Sequence, residues 1–160
     1  MSTKDNKPPA ILASEVTPRT QKSNYPSPFA ERVSGKLKRP LGDFFGIKKF
    51  GVNLTELAPN GESTLLHKHS KQEEFIYIIS GHPTLITGET ETILNPGMCA
   101  GFTPDGSAHQ LINRTSETVT YLDLGDRIAG DEVSYPADDL MAVMDENQKW
   151  KFKTKNGKPY

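Results

Sequence analysis

The chain has 160 residues, a length that suits one domain with tails. Its 19 basic and 20 acidic residues nearly cancel, which argues against a nucleic-acid or anionic-membrane partner. A single cysteine, Cys99, excludes an intrachain disulfide. No secretory leader and no membrane-spanning apolar run is recognisable, so we expect a cytoplasmic protein.

The N-terminal segment is rich in proline, with six of the twelve prolines within residues 1–46. Proline fixes φ and donates no backbone hydrogen bond, so long helices or ladders are not expected there. We predict an extended arm over residues 1–46 that docks on the body through Tyr25, Phe29 and Ala30. A disordered tail over residues 1–20 is the alternative. The lysines at positions 36, 38, 48 and 49 are interpreted as a solvated basic face.

The central segment, residues 47–126, has the pattern of an antiparallel β-sandwich or barrel, because short strands alternate with turn signals every 8–12 residues. Residues 84–87 and 91–94 form a hairpin in this interpretation. Residues 75–79 are apolar at every position, which predicts a strand buried on both faces. Cys99 is predicted to be a buried structural thiol, and Tyr77 and Phe102 to lie in the core or in a pocket wall.

The C-terminal extension, residues 127–160, carries only a weak helical period over residues 137–144, where we predict a short helix. Residues 150–155 alternate aromatic or small side chains with lysine. That pattern predicts an edge strand protected by charge.

The residues best suited to chemistry are two histidines and a neighbouring acidic pair. On a strand His67 and His69 point to the same side and can bind one ion, whereas on a helix they would diverge. Glu73 and Glu74 immediately precede the most apolar strand, and alternation turns one of them inward, where a buried carboxylate needs a partner or a metal. From the residues alone, either glutamate could be that group. A tight turn, Pro104-Asp105-Gly106, then delivers a third histidine, His109, to a strand.

These residues resemble the two motifs of the cupin superfamily. Gly61, His67-x-His69, Glu74 and Gly81 match the spacing of the first motif, and Pro104-x-Gly106-x-x-His109-x-x-x-Asn113 matches the second. The resemblance implies an all-β, single jelly-roll barrel. It implies one divalent ion, of Fe, Mn, Ni, Zn, Co or Cu, bound by His67, His69, Glu74 and His109. Glu74 is preferred over Glu73 because six residues separate it from Gly81, and His82 is read as a turn residue.

A site of three histidines and one carboxylate leaves coordination positions open for a substrate. By analogy with metal cupins we expect an enzyme that oxygenates or isomerises a small organic metabolite. A non-catalytic module that binds or senses a small molecule, such as a sugar, is the alternative. Catalytic residues beyond the metal ligands are not identifiable. The resemblance also implies a homodimer, whereas the balanced charge leads us to expect no nucleic-acid or membrane partner.

Overall fold

The computed structural model describes residues 7–21 and 23–160, and these form three antiparallel sheets. The part of the predicted 1–20 tail before Lys7 lies outside the described residues. The strands are β1 (Lys36–Pro40), β2 (Phe50–Leu57), β3 (Lys68–His69), β4 (Glu74–Ser80), β5 (Thr84–Thr87), β6 (Thr90–Ile93), β7 (Cys99–Phe102), β8 (His109–Ile112), β9 (Val119–Asp126), β10 (Glu132–Ser134), β11 (Met141–Met144) and β12 (Trp150–Lys153). Helical segments are a 3-10 turn (Ala13–Glu15), α1 (Phe29–Arg32) and α2 (Leu41–Phe44). No helix among the described residues is long and apolar enough to cross a membrane.

The strand orders are β1-β2-β9-β4-β7 in the largest sheet, β12-β11-β10-β3 in the second and β6-β5-β8 in the third. Every pairing is antiparallel, and an isolated bridge between His67 and His109 links the segment before β3 to β8. The architecture is the predicted all-β jelly roll. The predicted hairpin is confirmed as β5 and β6, which turn at Gly88 and Glu89. Strand β1 lies inside the 1–46 range and pairs with β2 along its whole length.

The five-stranded sheet covers the main hydrophobic core with only one of its faces. Ile76 and Ile78 on β4 point inward and are almost fully buried. The alternate side chains Phe75, Tyr77 and Ile79 are 40–44% exposed on the outer face. The prediction that this strand is buried on both faces was therefore wrong, as was the placement of Tyr77 in the core, because no second layer covers the outer face among the described residues.

Cys99 lies on the same outer face, since it pairs with Tyr77 across β4 and β7. It is an exposed free thiol. The prediction of a buried structural thiol was wrong for the same reason.

A second hydrophobic cluster lies under the four-stranded sheet, with Leu65, Val133 and Leu140 among its buried members. The arm contributes Tyr25 and Phe29, which pack against this cluster. Tyr25 contacts the rings of Tyr135 and Phe152 in the C-terminal extension, with both pairs of ring centroids 5.7 Å apart.

The C-terminal extension is built from strands. The helix predicted over residues 137–144 was wrong, because Leu140, Ala142 and Met144 are buried at alternate positions, which is the period of a strand. Strand β12 ends the order of its sheet, so the predicted edge strand is confirmed at residues 150–153.

Candidate metal centre

Backbone pairing places three histidines on one wall of the barrel. His69 is in β3 and pairs with Val133 of β10. His67, two residues earlier, exchanges both backbone hydrogen bonds with His109, at 3.1 and 2.9 Å. This exchange brings the rings of His67 and His109 to 4.5 Å between centroids, with the ring of His69 at 5.1 Å from His67. The predicted strand geometry of the His67-x-His69 pair thus brings both rings to one side.

Glu74 faces these histidines from the first position of β4. Its Oε2 lies 3.1 Å from Nε2 of His67, 3.4 Å from Nε2 of His69 and 2.8 Å from Nε2 of His109. Glu73 is exposed, and its backbone N–H donates to Asp126. Of the two glutamates considered from the sequence, Glu74 is therefore the one that enters the barrel.

The donor atoms of His67, His69 and Glu74 all lie within 4.8 Å of one another and form a possible metal-binding group. His109 stands outside this mutually close set, although its Nε2 is the histidine nitrogen nearest to Glu74. The ring of Phe102 stacks on His109 at 3.6 Å between centroids and 4° between planes. Phe102 is therefore a wall of the site, as predicted.

The hydrogen bonds of the outer ring nitrogens make this a fitting place for a cation. His67 Nδ1 lies 2.9 Å from the carbonyl of Leu65, which can only accept, and His69 Nδ1 lies 2.5 Å from a carboxylate oxygen of Asp131. Each Nδ1 is thus a donor, and in a neutral imidazole the Nε2 atom then carries a lone pair. Two lone pairs directed at the Glu74 carboxylate repel it, unless a metal ion lies between them or the rings are protonated. The donor set of three nitrogens and one carboxylate suits a first-row divalent ion.

Asp131 holds His69 from behind the site. Its side chain is fully buried, and one oxygen faces His69 while the other accepts from three consecutive backbone N–H groups, those of Ser70, Lys71 and Gln72. A carboxylate behind a ligating histidine fixes the ring orientation and the tautomer. Sequence reasoning missed Asp131, because it is 62 residues from His69 and no local pattern connects the two.

Electrostatics favour the ionised form of Glu74. Desolvation by burial acts to raise the pKa of Glu74, but the hydrogen bonds from His109 and His67 and the neighbouring histidines hold it well below its ordinary value. Burial also lowers the pKa of His109, more than Glu74 raises it. The first shift favours a carboxylate at Glu74 and the second a neutral imidazole at His109, which are the forms in which these two groups bind a metal.

A polar cavity of about 550 Å³ opens from His67, His69 and Glu74. Its walls include Tyr25 from the arm and Tyr135 and Trp150 from the C-terminal extension. The volume lies within the range of small-molecule sites, roughly 300–1,000 Å³. His109 borders a smaller adjoining space of about 70 Å³, whose wall also includes Ile76, Leu85 and Leu111.

The cavity wall on β1, β2 and β9 carries charged and polar groups. Asp123 accepts hydrogen bonds from Lys38 at 3.0 Å, Asn53 at 2.7 Å and Thr55 at 2.5 Å. Lys36 lines the same cavity and donates to the carbonyl of Ser63 at 2.5 Å. The interpretation of Lys36 and Lys38 as a solvated basic face was wrong, because alternation along β1 turns both into the barrel. Lys48 and Lys49 are exposed.

Two further polar residues lie outside the ligand set. Asn113 is fully buried, and its side-chain amide donates to the carbonyls of Leu57, Ala58 and Glu117. It supports the surrounding loops through these bonds. His82 is exposed after Gly81, where its ring contacts Asn95, and it lies away from the other three histidines.

Comparison with known proteins agrees with this geometry. The cupin domain model matches residues 53–125. A sugar phosphate isomerase of the cupin superfamily from Silicibacter pomeroyi DSS-3 is 33% identical, with a TM-score of 0.88 over 95% of this chain and 96% of its own. A proposed sugar phosphate isomerase from Acidithiobacillus ferrooxidans ATCC 23270 is 30% identical, with a TM-score of 0.71 over 77% of this chain and 80% of its own. A polyketide cyclase from Streptomyces resistomycificus shares the fold at 21% identity, with a TM-score of 0.60 over 73% of this chain and 78% of its own. Among curated proteins none matches the chain. The sequence motifs, the jelly roll and these similarities together establish that the chain belongs to the cupin superfamily.

Proposed function

We propose that His67, His69, Glu74 and His109 bind one divalent metal ion, and that the protein uses it to isomerise a small phosphorylated sugar. The metal would polarise the substrate carbonyl as a Lewis acid. The observation that carries the proposal is the polar cavity that opens from the histidines and Glu74 and is lined by charged side chains.

The charge of the cavity suits a phosphate ester. Among the described residues, its wall holds four basic side chains (Arg19, Lys36, Lys38, Arg127) and four acidic ones (Asp43, Glu74, Asp123, Asp126). A divalent ion bound to Glu74 leaves the cavity net positive even when Lys36 is a neutral amine, which favours a phosphate group of about two negative charges. Isomerisation is favoured over oxygenation of an apolar substrate because polar side chains face the cavity on several sides. The 33% identical sugar phosphate isomerase supports the same choice.

The residues of the chain supply orientation around the metal. Asn53 and Gln72 reach the cavity with amide groups that can bind sugar hydroxyls. Burial raises the pKa of Tyr25 to about 12, so its phenol stays protonated and can donate to the substrate. The aldose and the ketose are isomers, so the reaction needs no oxidant or second substrate.

Metal analysis tests the ligand set. We expect one equivalent of divalent metal in the parent protein and a loss of most of it in a His67→Ala/His109→Ala double variant. His82→Ala is the matched control, because it removes the one histidine that lies away from the site, and it should keep the metal. Equal metal content in parent and double variant contradicts the ligand assignment.

Turnover tests the reaction. The metal-loaded parent is incubated in D₂O with aldose and ketose monophosphates of five and six carbons, and proton NMR follows interconversion and deuterium incorporation. We expect interconversion of at least one pair, and its loss in Glu74→Gln. Binding of a sugar phosphate without turnover identifies a binding module instead, and oxygen consumption identifies an oxygenase; either result overturns the isomerase assignment. The cytoplasmic location and the homodimer remain predictions.

A further inference from the structure

We propose that Lys36 is the catalytic base that moves the proton between the two substrate carbons. This inference rests on the proposed isomerase function. It starts from the position of Lys36 on β1, where its side chain shares a cavity wall with His67 and Glu74.

The partners of Lys36 distinguish it from the other charged groups of the cavity. Among the described residues its ammonium nitrogen has one hydrogen bond, to the Ser63 carbonyl, and no ion pair. One donor position is therefore used, and the others remain available to a ligand in the cavity. Lys38, two residues along the same strand, is bound to Asp123 at 3.0 Å.

The other candidate bases are committed elsewhere. Asp123 accepts three hydrogen bonds, and Asp43 is bound by both Arg19 and Arg127. Burial raises the pKa values of Tyr25 and Tyr135, which leaves both phenols protonated. The histidines of the site face Glu74. Asp126 accepts from the backbone N–H groups of Glu73 and Ile128. Lys36 is thus the remaining basic group of the cavity wall that is not held by an opposite charge.

The surroundings of Lys36 favour the neutral amine. Burial is the main cause, and Lys38 on the same strand and Arg19 from the arm act in the same direction, against Asp123 on β9 and Glu74 on β4. Together they lower the pKa of Lys36 from 10.5 to about 7. A base with a pKa near the working pH is the most effective in proton transfer.

The proton transfer balances within the substrate. The neutral amine of Lys36 takes the proton from the carbon next to the carbonyl, and the electrons of that C–H bond form the double bond of an enediol. The hydroxyl proton of that carbon passes to the former carbonyl oxygen, and the Lys36 ammonium returns its proton to the former carbonyl carbon. One carbon is oxidised and its neighbour is reduced, so no co-reactant is needed.

Competitive acetylation with mass spectrometry tests the state of Lys36 without any substrate. Labelling of Lys36 by acetic anhydride should rise with pH to a plateau with a midpoint near 7, because only the neutral amine reacts. Lys48 is exposed, and its labelling should keep rising to far higher pH. A Lys36 profile that matches that of Lys48 overturns the inference.

Variants test the role of Lys36 in turnover. Lys36→Arg keeps a cation and a donor for Ser63 but cannot serve as a base, and Lys36→Met removes the charge. We expect both to lower kcat for the monophosphate that the parent converts fastest by about 100-fold or more. Lys36→Arg should also lose the rise of kcat/KM through pH 7. Lys48→Met is the control and should match the parent, and circular dichroism verifies the fold of each variant.

The outcomes separate the two proposals. An active parent with unchanged Lys36→Arg kinetics overturns the role of Lys36 and leaves the isomerase assignment standing. A metal-loaded parent that converts none of the sugar monophosphates overturns the proposed function, and the role of Lys36 with it.

Discussion

Replacing Lys36 by methionine should stabilise the fold at neutral and acidic pH. Folding lowers the pKa of Lys36 from 10.5 to about 7, which corresponds to a penalty of about 5 kcal/mol for keeping the ammonium charged in the folded state. Methionine avoids that penalty but leaves the Ser63 carbonyl without its donor, at a cost of about 1–3 kcal/mol. We expect a net gain of about 2–4 kcal/mol in the free energy of unfolding at about pH 6.

The gain should shrink as the pH rises. Between about pH 7 and the unfolded value of 10.5 the unfolded parent binds one proton more than the folded parent. The stability of the parent therefore increases with pH in that window, by about 1.4 kcal/mol per pH unit at most. The penalty is complete below about pH 7 and absent above about pH 10.5. The methionine variant lacks this dependence.

Urea unfolding of the metal-free proteins measures the difference, with chelator present throughout. Parent, Lys36→Met and Lys48→Met are compared at about pH 6, 7.5 and 9, and the linear extrapolation gives each free energy of unfolding. Lys48→Met should follow the parent at every pH. A difference between Lys36→Met and the parent that stays constant from about pH 6 to 9 would refute the reasoning, because it would show that Lys36 does not titrate in that range.

Three further predictions address the site and the fold. Asp131→Asn should weaken divalent-metal binding by about 10–100-fold in a competition with a chromophoric chelator, whereas its exposed neighbour Glu132→Gln should not. Adding divalent metal at about 100 times its Kd should stabilise the parent by about 2.7 kcal/mol in thermal unfolding, and an equal shift in the His67→Ala/His109→Ala variant would contradict the assigned site. Gly81→Ala should cost about 2–4 kcal/mol in urea unfolding, because φ is +81° and a Cβ would lie 2.8 Å from Val119; Gly97→Ala, with φ of +90° and open space, should cost only about 1 kcal/mol.

The sequence contains enough information to locate most of the candidate metal site, because the geometry of His67, His69 and Glu74 depends on local periodicity. Side chains two residues apart on a strand point to the same face, and this brings the rings of His67 and His69 together. Alternation along β4 also shows that one glutamate turns inward, and the spacing to Gly81 favours Glu74. The turns around the strands are equally local, so the hairpin of β5 and β6 was predictable.

Other features depend on which strands and loops pack on each other, and the periodicity of the sequence does not reveal this packing. The outer side chains of β4 and the thiol of Cys99 are as apolar as a core, yet the structure leaves them exposed. Lys36 and Lys38 look like surface lysines until the pairing of β1 with β2 turns them inward. Asp131 lies beside His69 only because the chain comes back to β3 after β9.

The boundary of the matched domain divides the site into two parts. Residues 53–125 carry all four proposed ligands, but Lys36, Asp131 and Trp150 lie outside that range. A chimera that grafted this core between foreign flanks would retain the ligand side chains but exchange much of the cavity wall. The flanks can therefore change which molecule fits the cavity without altering the four proposed ligands, provided that the foreign sequence supplies a carboxylate behind His69.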